Sequence, residues 1–311
     1  MKLFRVRQRF DSTQINDIEG AVREQICNSG LEIRKGSAIA VAVGSRGIAD
    51  LYRIVKSVVD CLKEKGAAPF IVPAMGSHGG ATAEGQVEVL KEYGITEEST
   101  GVPVKSSMEV VELPGEGLGN RVYMDKFAYT ADGTVIINRI KAHTDFHGPI
   151  ESGLMKMCVI GLGKHKQAVE IHKYGVWGLK DLIIPTARQV LKHGNIILGV
   201  GIVENAYDRT AVIKAILPQD IEQEEMLLLK LSKSIMPSLP VGKLDVLIVD
   251  QMGKDVSGTG MDTNVIGRMK IRSEVEPQTP DIKNIVVTDL TEASHGNALG
   301  MGLADFITKR L

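Results

Sequence analysis

Seven histidines occur in this chain, and four of them, His143, His147, His165 and His172, fall within residues 138–172. The same stretch carries Lys156 between Met155 and Met157, just after Ser152-Gly153-Leu154. Imidazole moves protons near neutral pH and binds nickel, copper or zinc. An amine with apolar neighbours has a lowered pKa and becomes a nucleophile. Imidazoles crowded around such a lysine predict a reactive site. The ordinary alternative is a lysine stem lying along methionines, and on residue types alone it is the commoner arrangement.

His143 and His147 flank Asp145. An i, i+4 pair shares a face only in a helix. Gly148-Pro149 opposes one, so a two-histidine zinc site is disfavoured. A general base with Asp145 orienting its ring is compatible, and so are two exposed rings on a polar loop. His165 and His172 lie seven residues apart in a run that reads as helical, 164–172. They are either ligands facing the loop or surface histidines among Lys164, Lys166 and Lys173.

Three further segments carry usable groups. Gly44-Ser45-Arg46-Gly47 lies where a strand hands over to a helix. Backbone N–H groups and the helix dipole there favour an anion, and Arg46 adds a planar cationic fork. A strand–helix turn with a solvated arginine explains it as well. Gly76-Ser77-His78-Gly79-Gly80 follows the next strand, and its glycines let a ligand approach His78 closely. Residues 258–270, with Arg268 and Lys270, form a polar loop that could close over an anion; a flexible surface loop is the commoner case. Ser294-His295-Gly296 repeats the strand-to-glycine style.

The elements that must position these groups follow from apolar periodicity. Residues 37–43 read as a buried strand and 48–65 as a helix, with Leu51, Ile54, Val55, Val58, Val59 and Leu62 on one face. A strand at 69–74, a helix at 82–93 and a strand at 134–138 come next. Strands at 196–203 and 212–217 and an amphipathic helix at 221–235 follow. Strand, glycine turn, helix, strand is the pattern of a parallel α/β sheet, whose carboxyl edge is where ligands bind. Pro237-Ser238-Leu239-Pro240 marks a domain boundary. Beyond it come strands at 244–249 and 284–287 and a helix-like run at 303–310. The expected architecture is α/β: a doubly wound, largely parallel sheet domain over 1–236 and a smaller α/β domain over 241–311, with the active site in the interdomain cleft.

Composition removes several function classes. A formal net charge of −1 offers no basic field for nucleic acid, and 4% aromatics are too few for stacking platforms. Cys27, Cys61 and Cys158 form no C-x-x-C pair and read as buried, reduced thiols. The N-terminus lacks the apolar core of a signal peptide, and no run reaches a membrane span. A soluble cytoplasmic protein is expected. No G-x-G-x-x-G follows a strand, and Gly161-Leu162-Gly163 lacks the third glycine, so an ordinary nicotinamide dehydrogenase is discounted.

Taken together, the motifs resemble the lactate racemase family, the 2-hydroxy acid racemases and epimerases that use a nickel-pincer nucleotide. The resemblance spans most of the chain. Ser45-Arg46 resembles the family's Thr-Arg-Pro loop, and Gly76-Ser77-His78 its Gly-Thr-His segment. His143, Ser152-Gly153 and Lys156 resemble its His, Ser-Gly-Gly, Lys run. His172 follows Lys156 by sixteen residues, the family's lysine-to-nickel-histidine spacing. Residues 264–270 resemble a later Asn-to-Lys motif that reaches the substrate.

The resemblance implies the cofactor: nickel held by pyridinium-3,5-bisthiocarboxylic acid mononucleotide and built by separate cofactor-synthesis enzymes. Protein made without those enzymes would lack it. Lys156 would be the covalent tether and His172 the nickel ligand. Gly44, Ser45, Arg46, Ser152 and Gly153 would surround the nucleotide. His78 and His143 would be the acid/base pair, with His147 a competitor for the second place. Arg46, Arg268 and Lys270 would be available to the substrate carboxylate.

The implied reaction inverts C2 of a 2-hydroxy carboxylate by reversible hydride transfer. The C2 hydrogen is barely acidic beside a charged carboxylate, so leaving as hydride avoids a dianion. The flat 2-keto acid then accepts hydride on either face, and each enantiomer's hydroxyl needs its own base. Gly47 stands where the family has proline, and Val43 where an acidic residue is common. Ile266 and Gly267 replace polar residues of the lactate enzyme, which implies a different 2-hydroxy acid. The C-terminal domain is expected to be shorter than the family's. Two other readings use the same residues. One is a zinc- or manganese-dependent hydrolase or lyase using the histidines directly. The other is a non-catalytic phosphate or nucleotide binder centred on residues 44–47.

Overall fold

In the computed structural model, which describes residues 4–44, 47–272 and 274–311, apolar runs become strands buried on both sides. After α1 (Ile18–Asn28) come β1 (Ala38–Val43), α2 (Leu51–Glu64), β2 (Ala68–Pro73) and α3 (Ala83–Glu92). The hairpin β3 (Val110–Leu113) and β4 (Val122–Asp125) precedes β5 (Gly133–Arg139). Two helices, α4 (Leu154–Lys156) and α5 (Lys164–His172), are joined through a π-helical turn at Met157–Gly161. Then follow α6 (Ile183–His193), β6 (Ile196–Glu204), β7 (Thr210–Ile216) and α7 (Ile221–Ile235).

The sheet order is β2-β1-β5-β6-β7, parallel throughout except for the β6–β7 pair. Alternation along each strand divides the core in two. Ile39, Val41, Val43, Val135 and Ile137 face α1, α2 and α3. Ala40, Ala42, Val72 and Ile136 face the layer built from residues 154–162 and α5, α6 and α7. Sandwiching explains why the strands read as continuous apolar runs rather than alternating ones. Strand order reverses between β1 and β5, so the crevice outside their carboxyl ends is the usual ligand position in such sheets.

The chain separates into two compact units. The larger comprises Asp11–Lys141 and His147–Ile235 and contains the sheet just described. The smaller comprises Met1–Phe10, Ala142–Phe146 and Met236–Leu311. It holds a parallel sheet in the order β10-β9-β8, from β8 (Lys243–Met252), β9 (Asp281–Leu290) and β10 (Phe306–Ile307). Its core is Met252, Met261, Ile266, Ile282, Ile285, Val287 and Leu303.

Two local expectations fail. Residues 303–310 do not form a helix. A short turn at Met301–Leu303 leads directly into β10, whose Phe306 and Ile307 pair with Val286 and Val287. An exposed apolar pair next to a waiting strand edge satisfies its backbone groups by pairing, and this outweighs helix propensity. Cys27 is exposed rather than buried, because it follows the core-facing Ile26 on α1; Cys61 and Cys158 are buried as expected. Among the described residues, no helix is long and apolar enough to cross a membrane.

Candidate functional site

Several of the singled-out residues of the larger unit gather at one edge of its sheet. β1 runs into Gly44, β2 into residues 74–78, and β5 into residues 140–141, all at the same carboxyl edge. Ser45 and Arg46 lie outside the described residues. Their flanks are fixed: the Gly47 N–H donates to the Tyr93 hydroxyl at 3.0 Å, and the Ala49 N–H donates to Glu204 at 2.7 Å. Glu204, at the end of β6, also pairs with Arg139 at the end of β5.

Lys156 is placed by contacts made before its own position. Asn138, on β5, donates its side-chain amide to the Gly153 carbonyl at 2.9 Å. The backbones of Lys141 and Ser152 exchange hydrogen bonds of 2.9 and 3.2 Å. A methyl group at Gly44 would stand 3.1 Å from the Asn138 oxygen and 3.2 Å from the Met157 methyl, so a bare backbone suits this junction. Lys156 itself is half-buried, and Ser152 lies beside the strand end.

His78 follows β2 with an extended backbone and is half-buried. Its loop packs on the π-helical turn: the Gly76 N–H donates to the Gly161 carbonyl at 3.4 Å, and a Cβ at Gly76 would meet Ile160 at 2.9 Å. The loop is held from below by Gln86 of α3. Its amide donates to the carbonyls of Gly76 and His78 at 2.8 and 3.3 Å. Gln86 in turn accepts from Lys164 at 3.0 Å, and the Lys164 ammonium also donates to the Pro73 carbonyl and stands 3.2 Å from Asp125. Lys164 and Asp125 are both fully buried. Burial raises the pKa of Asp125 and lowers that of Lys164, each opposed by the attraction of the other.

His172 closes α5. Sixteen residues of uninterrupted helix would carry it about 24 Å from Lys156, far beyond the reach of an exposed charge at physiological salt. Instead Lys164 takes a left-handed backbone (φ 56°), which breaks the helical run between the two. Partial burial and then the charge of Lys156 hold the imidazole pKa of His172 below its ordinary value. At neutral pH the ring is therefore neutral, with a lone pair available to a metal. Cys158, two residues from Lys156, is wholly buried and its thiol pKa is pushed up, so it is inert.

His147 also belongs to the larger unit, with its Nδ1 3.6 Å from the buried carboxylate of Glu151. His165 lines a surface cavity of about 390 Å³ with Ala81, Tyr123, Lys166 and Glu170. None of Gly44, His78, Lys156 or His172 lines that cavity.

His143 belongs to the smaller unit. Its ring stacks on Phe146 at 4.4 Å, its Nδ1 accepts the Asp145 N–H at 3.0 Å, and its carbonyl accepts from Asn264 at 3.1 Å. Thr263 donates to the neighbouring Thr144 carbonyl at 2.6 Å. Asn264, singled out as the start of a substrate-reaching motif, thus holds the histidine segment. The Arg268 guanidinium is engaged by Asp305 and by the carbonyls of Leu303, Ile282 and Lys283. Lys270 is more exposed and reaches the Gly302 carbonyl at 3.1 Å.

Four residues escaped the sequence reading: Gln86, Asp125 and Lys164, which hold the His78 loop, and Glu225, which accepts the Met155 N–H at 2.7 Å. Gln86 and Glu225 carried a signal. Each occupies the apolar stripe of its helix, Gln86 with Leu90 and Glu225 with Ile221, Leu228 and Leu229, where a polar side chain needs a buried partner. Lys164, in a lysine-rich run after two glycines, had none.

No family model matches the chain, and no curated protein matches it. Among solved structures, a protein from Thermotoga maritima superposes with a TM-score of 0.61 at 12% identity, over 87% of this chain and 69% of that one. The lactate racemase apoprotein from Thermoanaerobacterium thermosaccharolyticum superposes with a TM-score of 0.58 at 13% identity, over 91% of this chain and 69% of that one. The likeness is one of fold: a mixed α/β architecture with a mostly parallel central sheet, as in lactate racemase.

Proposed function

We propose that this chain is a racemase or epimerase that inverts C2 of a 2-hydroxy carboxylate by reversible hydride transfer, with a nickel-pincer nucleotide tethered to Lys156. The observation that carries the reading is a His172 held neutral by burial and then by the charge of Lys156, with the helical run between the two broken at Lys164. Their chemistry fits the group: a primary amine forms the thioamide tether, and a neutral imidazole supplies one metal ligand. A metal held by side chains alone needs three or more donors. Among the described residues, no group of three His, Cys, Asp or Glu side chains stands ready for one. One imidazole suits a metal that arrives with its other donors.

When bound, the nucleotide would supply a hydride acceptor. The remaining work falls to the chain. Gly44 keeps the chain bare where β1 ends, against Asn138 and Met157. His78, on a loop tied down by Gln86 and Lys164, would hold and return the hydroxyl proton of one enantiomer. His143, whose Nδ1 accepts the Asp145 backbone N–H so that its Nε2 carries the ring proton, would donate to the other enantiomer's oxygen, with His147 the alternative. Lys270 would be available to the substrate carboxylate, and Arg46, the other cation expected there, lies outside the described residues.

The test is intact mass and nickel analysis of protein produced together with the cofactor-synthesis enzymes. The peptide containing Lys156 should gain the mass of the nucleotide with stoichiometric nickel, and Lys156→Ala should lose both. An unmodified, nickel-free chain, alongside successful loading of a lactate racemase, would overturn the reading.

A further inference from the structure

Glu225 is fully buried in α7, and among the described residues no cation pairs with it. One carboxyl oxygen accepts the Met155 N–H at 2.7 Å, and the neighbouring Leu154 N–H also favours the charged form. The other oxygen has no hydrogen-bond partner among the described residues and lies against Gly153, where a Cβ would stand 2.2 Å from it. Burial pushes its pKa up to about 8. An unpaired carboxyl in an apolar layer is costly, so its contacts indicate what it does.

Those contacts are the opening amides of α4. The first N–H groups of a helix have no partner within the helix. A capping side chain usually supplies one, but here the capping position is Gly153, which has no side chain and makes no side-chain cap. Glu225 reaches across from α7 and does this instead, and Gly153 leaves the room its carboxyl needs. The amine of Lys156 projects from the residue after Met155.

We propose that Glu225 is a positioning residue for Lys156, capping from a neighbouring helix the turn that aims the lysine amine. The value of that aim rests on the reading of Lys156 as the tether, but the positioning can be measured without any cofactor.

Trace acetylation of the full native chain with an amine-specific reagent, read by peptide mass spectrometry, gives the labelling of Lys156 relative to the exposed Lys91 and Lys192. Glu225→Ala should change that ratio by about threefold, the change that half a pKa unit makes in the neutral-amine fraction. Glu225→Gln keeps an acceptor oxygen and should restore most of it. Leu229→Ala, a cavity in the same helix, should leave the ratio at its wild-type value. If Glu225→Ala does not fold, Glu225→Asp, which withdraws the carboxyl by one methylene, takes its place with the same expectation. A wild-type ratio in Glu225→Ala, no restoration in Glu225→Gln, or an equal change in Leu229→Ala would each overturn the proposal. A shifted ratio in a chain that never loads nickel would sink the cofactor reading alone.

Discussion

Residues 39–43 of β1 are all buried, whereas of the ten residues of β8 only Met252 is. Both strands belong to parallel sheets, which are normally covered on both faces. The five-stranded sheet has an apolar cluster on each side. The three-stranded sheet has one cluster, and its other face presents Val246, Ile248 and Phe306, with Ile248 and Phe306 both in register with Val286. The charged groups divide in the same way. Lys164, Asp125 and Glu225 lie fully buried in the layers of the larger unit, while pairs such as Lys283–Asp245 and Arg310–Asp289 lie at the surface of the smaller. A doubly covered sheet provides the depth at which ionisable groups are perturbed and can hold loops in place. A singly covered one leaves most of its charges in water and buries at most part of a pair such as Arg268–Asp305.

Breaking the buried charge system should give the largest effect. Lys164→Met leaves Asp125 without its cation and the loop below His78 without its anchor. Urea denaturation should show a loss of about 3–5 kcal/mol. A loss comparable to that from removing a surface pair, under about 1 kcal/mol, would mean that depth does not set these interactions apart.

A pH series sharpens the same point at Glu225. Its folded pKa is raised from 4.5 to about 8, so the folded chain keeps a proton that the unfolded chain releases. The stability is therefore fully present below pH 4.5 and is lost as pH rises toward 8. Glu225→Gln removes this titration. The wild-type advantage over that variant in thermal unfolding should shrink from pH 5 to pH 8; a constant difference would refute the assignment.

The smallest effects come from a matched pair. Ile137→Val in the covered sheet should cost about 0.5–1.5 kcal/mol, and Ile248→Val on the open face less than about 0.5 kcal/mol. Equal losses in denaturant midpoints would show that the open face is covered in solution.

Much of this was legible in the residues. The 15-residue helix Ile221–Ile235 and the strand Ala38–Val43 follow from periodicity and apolar runs. The placement of Gly44 and His78 at strand ends follows from the strand–glycine–helix order. Residues 303–310 were misread because a short strand and a short helix look alike when a waiting strand edge decides the outcome. The roles of Gln86 and Asn264, which anchor the His78 and His143 segments, were hidden because a polar residue reveals its partner only in three dimensions.

The sequence by itself determined which residues could do chemistry, where the parallel strands run and which loops leave their carboxyl ends, because these depend on side-chain type and local period. Only the tertiary structure decided that Lys164 is buried and breaks a helical run, that burial first and the charge of Lys156 second hold His172 neutral, that Glu225 accepts the Met155 N–H from another helix, and that Ala142–Phe146 joins the smaller unit. Burial and charge–charge contact depend on what is packed nearby, and residues far apart in the chain supply it.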